Sequence, residues 1–198
     1  MVGTPIFDEL RDLFKRSRGQ FESSEIGAGS GARESSPEAA RLPVKIVVVG
    51  GRGVGKTTFV GSVSDADPIN VDPATDVGRI TLHPDLVLHL FGTSEPPQSG
   101  FGGALGAVVL VDAQRIEDAF ATISYFENDA DVPFIVVINM FDGELRHEID
   151  EVRDALALDP DVPLTTCDAR DPRSTANALR ELVSYTMNVD RGDLPPPG

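Results

Sequence analysis

The sequence predicts a three-layer α/β domain with a mostly parallel β-sheet. From position 44 onward, short runs of apolar residues alternate with amphipathic helical segments. A glycine-rich turn also joins the first apolar run to the first helical segment. This alternation is typical of parallel sheets, because a helix usually carries the chain back between neighbouring parallel strands. A chain of 198 residues is long enough for one such domain with extensions.

We expect six strands, one of them antiparallel to the others, with helices on both faces of the sheet. Four apolar runs predict strands, VKIVVVG, LGAVVLVD, PFIVVIN and VPLTTC, and the first two are expected to be buried. Two shorter runs, RITL and LVLHLF, are separated only by HPD and therefore predict a hairpin. The predicted helices are KTTFVGSV, RIEDAFATISYFEN, ELRHEIDEVRDALAL and STANALRELVSYTM.

Residues 1–18 predict an amphipathic helix ahead of this domain, with Thr4 as its cap and Pro5 in its first turn. Its apolar stripe consists of Ile6, Phe7, Leu10, Leu13 and Phe14. Such a stripe can pack on the domain, on a partner or on a membrane. Because it has no evident place in the α/β core, we expect a docking element whose removal leaves folding intact.

The remaining boundaries follow from composition. Residues 19–42 are rich in Gly, Ser, Ala and Glu, which predicts a flexible linker. The α/β domain is expected to span 43–188, and 189–198 to form a disordered tail.

Charge and cysteine content narrow the classes of partner. The net charge of −15 disfavours nucleic acid and anionic lipid as main partners, because their phosphates would be repelled. The single cysteine, Cys167, excludes an internal disulfide and fits a reducing cytosol. We find neither an apolar run of about 18 residues nor a secretory leader pattern. We therefore expect a cytoplasmic protein that contacts membranes only through a complex or its N-terminal helix.

The segment VVVGGRGVGKTTFV contains a complete P-loop pattern, Gly50-x-x-x-x-Gly55-Lys56-Thr57, between a strand and a helix. Backbone N–H groups of such a loop surround phosphate oxygens, and the helix N-terminus adds a positive dipole end. The predicted phosphate-binding residues are Gly51, Arg52, Gly53, Val54, Gly55, Lys56, Thr57 and Thr58. Lys56 is also a candidate catalytic residue, and Thr57 is the candidate Mg²⁺ ligand. The Arg52 side chain either reaches phosphate or points to solvent.

The choice of base depends on the segment VVINMFDG, where Asn139 ends a predicted strand and Asp142 follows. A carboxylate accepts hydrogen bonds from the N1–H and exocyclic amine of guanine, whereas adenine offers no matching donor at its ring nitrogen. Asn139 and Asp142 are therefore candidate guanine-binding residues. A simple turn at a strand end is the alternative explanation.

Several motifs together resemble the conservon-type GTPases of actinobacteria, which are small Ras-like proteins related to the bacterial polarity GTPase MglA. The resemblance spans about 44–187 and is carried by KIVVVGGRGVGKTTFVGSVS, GRITL, LFGT, GAVVLVD, YFEN, NMFDG and CDARD. It implies a Ras-like P-loop fold that binds GTP or GDP with Mg²⁺. It also implies a roadblock-type protein or a sensor-kinase-like protein as partner.

The resemblance assigns further roles near the base. Asn139 and Asp142 match the Asn-Lys-x-Asp motif of Ras-like GTPases, with Met140 in place of lysine. The segment TCDARD resembles their Ser-Ala-Lys loop, which implies that the Ala169 N–H meets the guanine O6.

Departures from the family pattern concern the terminal phosphate. Gln98 aligns with the family glutamine and is a candidate catalytic residue, but Pro97 precedes it and lacks the N–H that would contact a γ-phosphate. Ras-like proteins generally have an aspartate at the end of the preceding strand, but the family has glycine there, as does this chain at Gly92, so Mg²⁺ is expected to rely on Thr57 and water. About one helix of sequence before GALGAVV is also absent.

The first switch is short. Thr75 is the sole threonine between the P-loop helix and the next strand, which makes it a weak candidate as a switch ligand. The neighbouring Asp72 and Asp76 are expected to face phosphate groups unfavourably if they come close.

These features suggest a guanine-nucleotide-binding regulatory protein with weak GTP hydrolysis. The alternative is a pseudo-GTPase scaffold that binds partners independently of nucleotide state. A P-loop ATPase or kinase is disfavoured by Asn139 and Asp142.

Overall fold

The computed structural model describes residues 7–15, 42–94, 102–141 and 148–190. In these ranges the strands are β1 Leu42–Val49, β2 Ile69–Asp72, β3 Thr75–His83, β4 Leu86–Thr93, β5 Ala104–Asp112, β6 Phe134–Asn139 and β7 Leu164–Cys167. The helices are α1 (7–15), α2 Lys56–Val63, α3 Phe120–Asn128, α4 Ile149–Ala155 and α5 Pro172–Asp190. A 3₁₀ turn, Ile116–Ala119, leads into α3.

The strands form one sheet in the order β2-β3-β4-β1-β5-β6-β7. The strands β4, β1, β5, β6 and β7 are parallel to one another. β3 is antiparallel to both β2 and β4, so it is the strand that runs against the rest. The predicted hairpin and the mostly parallel sheet with one antiparallel strand are therefore confirmed.

The sheet has one strand more than the six we expect from the sequence. The additional strand is β2, which forms a hairpin with β3 through Pro73 and Ala74. All four residues of β2 are exposed. An exposed edge strand has no continuous apolar run. Because β2 adopts its strand conformation through pairing with β3, the sequence pattern does not reveal it.

Helices cover both faces of the sheet, as predicted. Alternate residues of β1 belong to different hydrophobic cores, because successive side chains point to opposite faces. Ile46 and Val48 pack in the core that includes buried residues of α2 and α5, such as Phe59 and Leu179. Val47 and Val49 pack in the other core, which includes residues of α3 and α4.

The N-terminal helix packs on the domain. Leu10 is 0% exposed and Phe14 is 3% exposed, and both belong to the same core as Leu182 of α5. Glu9 also forms an ion pair with Arg180 at 3.5 Å. The expectation that the apolar stripe has no place in the core is therefore wrong. The linker and tail expected at 19–42 and 189–198 lie largely outside the described residues.

The first residue of α3, Phe120, does not belong to the buried apolar face of that helix. Ile123 and Phe126 are buried, but Phe120 is 44% exposed. The 3₁₀ turn at 116–119 changes the angular spacing between Ile116 and Phe120, which removes Phe120 from the buried face. None of the helices that the structure describes is long and apolar enough to cross a membrane.

Candidate functional site

The P-loop connects β1 to α2, and its backbone requires glycine at defined positions. Gly53 has φ = 77° and Gly55 has φ = 100°, a region that other residues rarely adopt. A Cβ atom on Gly55 would lie 2.4 Å from Nδ2 of Asn139. A Cβ atom on Gly50 would lie 2.4 Å from the carbonyl oxygen of Leu110. The glycine spacing thus lets the loop lie close against the ends of β5 and β6.

Lys56 is held against the loop that precedes it. Its side chain is largely buried, and Nζ donates to the carbonyl oxygens of Gly50 at 2.9 Å and Gly51 at 2.8 Å. Burial lowers the pKa of the Lys56 ammonium, and the nearby Asp76 carboxylate opposes that change. An anion in the loop would stabilise the charged ammonium, so this position suits a phosphate group.

Thr57 and Thr58 are exposed in the first turn of α2, next to the loop. The hydroxyl of Thr57 donates a hydrogen bond to Oδ2 of Asp76 on β3. Its oxygen lone pairs are consequently directed away from that proton, which suits a metal ligand.

The residues near Thr57 fit Mg²⁺ if a nucleotide phosphate also coordinates the ion. No group of three or more His, Cys, Asp or Glu side chains within 7–15, 42–94, 102–141 and 148–190 could hold a metal by itself. Mg²⁺ commonly takes few protein ligands and completes its shell with substrate phosphates and water. The hydroxyl of Thr57 can provide such a ligand.

Asn139 links the P-loop to the turn after β7. Its side chain is 5% exposed, its Nδ2 donates to the carbonyl oxygen of Val54 at 2.9 Å, and its Oδ1 accepts from the Ala169 N–H at 3.1 Å. The Met140 N–H donates to the Cys167 carbonyl at 2.7 Å. Two of the three predicted base-site residues thus lie together beside the phosphate loop. Asp142 lies outside the described residues.

The backbone N–H groups of the turn after β7 are engaged within the protein. The Asp168 N–H donates to Oγ of Ser174 at 3.0 Å, and the Arg170 N–H donates to Oδ1 of Asp168 at 2.9 Å. Side-chain and backbone hydrogen bonds from Arg170 hold the pKa of the Asp168 carboxyl below its usual range. Because the Ala169 N–H bonds to Asn139, a guanine O6 would have to share that hydrogen.

A second polar group borders the loop and was not identified from the sequence as part of the site. Asp112 at the end of β5 accepts from the Gln114 N–H at 2.9 Å and from Nε of Arg115 at 3.0 Å. Nη2 of Arg115 donates to the Arg52 carbonyl oxygen at 3.5 Å, while Arg52 itself is exposed. The position of Asp112 at the end of a buried strand predicts a structural hydrogen bond of this kind, and its spacing from Arg115 is the further sequence signal for the partner.

Of the two predicted switch segments, the structure describes the first, after α2, and only part of the second, after β4. Thr75 lies in β3, where it is opposite Thr93 of β4. The β3 residue that accepts a hydrogen bond from the first turn of α2 is instead Asp76, which we expect from sequence only as an unfavourable neighbour of phosphate. Pro97 and Gln98 lie outside the described residues.

Comparison with known proteins identifies the fold. No protein-family model matches the sequence, and no curated protein matches it. Among solved structures, the chain is similar to the Arl6 (BBS3) small GTPase from Trypanosoma brucei with a bound nucleotide analogue, GppNp. The TM-score is 0.59 at 16% sequence identity, over 73% of this chain and 98% of that one. The strand order, the loop after β1 and this likeness together show that the chain has the Ras-like fold of small GTPases.

Proposed function

We propose that this protein is a guanine-nucleotide-binding regulatory protein that binds GTP and GDP with Mg²⁺. The observation that carries the proposal is the joining of two loops by one buried side chain. Asn139 connects the phosphate loop at Val54 to the turn at Ala169, on the side of the loop where a base would follow the phosphates. The Ras-like fold supports the same proposal.

The phosphate end of the site is made by the loop and the start of α2. Backbone N–H groups between Gly51 and Thr58 are the proposed donors to phosphate oxygens, and the helix dipole favours the same charge. Lys56 provides a positive charge held against the loop, through its bonds to Gly50 and Gly51, in a protein of net charge −15. Mg²⁺, when bound, neutralises phosphate charge, and Thr57 is its proposed protein ligand.

The base end of the site rests on Asn139, Asp142 and Ala169. We propose that the Asp142 carboxylate accepts from guanine, which adenine does not satisfy. Ala169 is the proposed donor to O6, sharing an N–H that also bonds to Asn139.

Hydrolysis is proposed to be slow without a partner. Lys56 and Gln98 are the candidate catalytic residues, but Pro97 offers no N–H to a γ-phosphate. Thr75 is opposite Thr93 in the β3–β4 ladder, which limits its movement towards a nucleotide. Because of the family resemblance, we propose a roadblock-type protein as the partner, with a sensor-kinase-like protein as a second member of the assembly.

A pseudo-GTPase scaffold is the second candidate, and one observation favours it. The segment after α2, which would form the first switch, forms the β2–β3 hairpin instead. Ile69 is opposite Val77, and Asn70 is opposite Asp76. A nucleotide-dependent rearrangement of this segment would have to break regular strand pairing, whereas a scaffold needs no such rearrangement.

Single-turnover GTP hydrolysis with and without a roadblock-type protein tests the proposal. A regulatory GTPase is expected to turn over slowly alone, to accelerate with the partner, and to bind that partner differently in its GDP and GTP states. Gln98→Ala should remove the acceleration, and Gln114→Ala is the matched control. Equal partner binding with GDP, GTP and no nucleotide would instead favour the scaffold. Fast hydrolysis without a partner would contradict our interpretation of the second switch.

A further inference from the structure

Four neighbouring strands place one row of residues beside the start of α2. Asn70 of β2 is opposite Asp76 of β3, which is opposite Gly92 of β4, which is paired with Val48 of β1. Directly opposite residues in a ladder share a face of the sheet. Val48 packs in the core that includes α2, so this row lies on the face that α2 covers.

Gly92 leaves room for the Asp76 side chain in this row. A Cβ atom on Gly92 would lie 3.3 Å from Cγ2 of Val60, 3.7 Å from Cβ of Lys56 and 3.8 Å from Cβ of Asp76. A side chain at position 92 would therefore occupy the space between α2 and Asp76. With glycine there, the carboxylate on β3 reaches the first turn of α2.

The Asp76 carboxylate is held from two sides. Its Oδ2 accepts from the Thr57 hydroxyl, and its Oδ1 accepts from Nδ2 of Asn70. Its charge also acts on Lys56, whose pKa it raises against the effect of burial. The carboxylate thus has a defined orientation relative to Thr57.

A hydroxyl that binds a metal through a lone pair must give its proton to another acceptor. That acceptor sets the direction of the lone pairs and increases the basicity of the oxygen, as partners behind metal ligands generally do. Asp76 already accepts the proton of Thr57. A single carboxylate bound to a hydroxyl and an amide also keeps lone pairs for metal-bound water.

We infer that Asp76 is the carboxylate that positions Thr57 and metal-bound water for Mg²⁺. It would take the place of the aspartate that Ras-like proteins generally carry on the next strand, at the position of Gly92. This inference rests on the proposed nucleotide function and deepens it. It assigns to the first-switch hairpin a fixed role in the metal site. It also gives Asn70 a supporting role, because that side chain holds the other carboxylate oxygen.

The test is the dependence of GDP affinity on Mg²⁺, measured by calorimetry in Mg²⁺ and in excess EDTA. Wild type is expected to gain affinity with Mg²⁺. Asp76→Ala and Asp76→Asn should each reduce that gain by about 10- to 100-fold while leaving the affinity in EDTA unchanged or higher. Asp72→Asn is the control, since Asp72 is an exposed carboxylate of the same hairpin that accepts from the Ala74 N–H. Thermal melting of each variant shows whether it is folded.

A double variant separates a positioning role from a structural one. If Asp76 acts through Thr57, then Thr57→Ala should reduce the Mg²⁺-dependent increase in GDP affinity by a similar factor. The double variant Thr57→Ala/Asp76→Ala should then reduce it little further. The inference would be overturned if the two single-variant losses of Mg²⁺-dependent affinity added up in the double variant. It would also be overturned if folded Asp76→Asn kept the full Mg²⁺-dependent increase in GDP affinity. Tighter GDP binding in Mg²⁺ by Asp76→Ala would also overturn it, by showing that the carboxylate repels phosphate. Failure of wild type to bind GDP would overturn the proposed function itself.

Discussion

The side-chain amide of Asn139 donates to the carbonyl oxygen of Val54 at 2.9 Å, across 85 positions of sequence. The same side chain accepts from the Ala169 N–H. Asn139→Ala leaves both backbone groups without this partner in a buried place, so we expect a loss of about 1–3 kcal/mol in the free energy of unfolding. GDP affinity should fall as well, because the two loops lose their connection.

Denaturant unfolding of Asn139→Ala measures this loss. Asn128→Ala is the control, because the exposed Asn128 amide bonds locally, to Ser124 of the same helix. The control should change stability by less than about 0.5 kcal/mol. Equal unfolding midpoints for the two variants would contradict the structural role of Asn139.

Gly55→Ala should remove most nucleotide affinity. Its φ of 100° is unfavourable for alanine, and the added Cβ would collide with Nδ2 of Asn139 at 2.4 Å. Gly102→Ala provides the control, because a Cβ there would meet no atom of the described residues within 4 Å. Binding of a fluorescent GDP analogue should be lost in Gly55→Ala and retained in Gly102→Ala. Equal affinities would show that the loop geometry does not decide binding.

The lowered pKa of Lys56 predicts a specific pH dependence of stability. Between its folded pKa and the ordinary value of 10.5, the unfolded lysine keeps a proton that the folded lysine releases. Stability then rises with pH in this window, because the unfolded state binds more protons. The unfolding free energy of wild type minus that of Lys56→Met should therefore increase as pH approaches 10.5 from below. A flat or falling difference would contradict the assigned direction.

Removal of the Leu10 side chain tests the packing of the N-terminal helix. Leu10 is 0% exposed, so Leu10→Ala should lower the unfolding free energy by about 2–5 kcal/mol. Phe120→Ala removes a larger but 44% exposed side chain and should cost less. A melting temperature of Leu10→Ala equal to that of wild type would show that α1 contributes little to the folded domain.

The P-loop, most strands and the position of Asn139 at a strand end are predictable from sequence because their signals are local. The glycine spacing, the Lys56–Thr57 pair directly after it, and apolar runs such as that ending at Asn139 each depend on neighbouring residues only. Asn139 in addition ends a strand, and parallel strands bring their carboxyl ends to one edge of the sheet.

The features that sequence did not predict depend on distant partners. Strand β2 forms because it pairs with β3, although all four of its residues are exposed. The contact of Asp76 with Thr57 depends on hairpin register and on the space above Gly92. The burial of Leu10 and Phe14 depends on the surface that α5 presents. None of these relations is visible in a window of a few residues.

Calorimetric titration of the full chain with GDP and with ADP, in the presence of Mg²⁺, tests the central claim most directly. We predict that GDP binds much more tightly than ADP, that GTP binds about as tightly as GDP, and that Lys56→Ala abolishes most of the affinity. Asp142→Ala should weaken GDP binding by about 2 kcal/mol or more, because donors on the base lose their acceptor. Equal affinities for GDP and ADP, or unchanged GDP binding by Lys56→Ala, would contradict the claim.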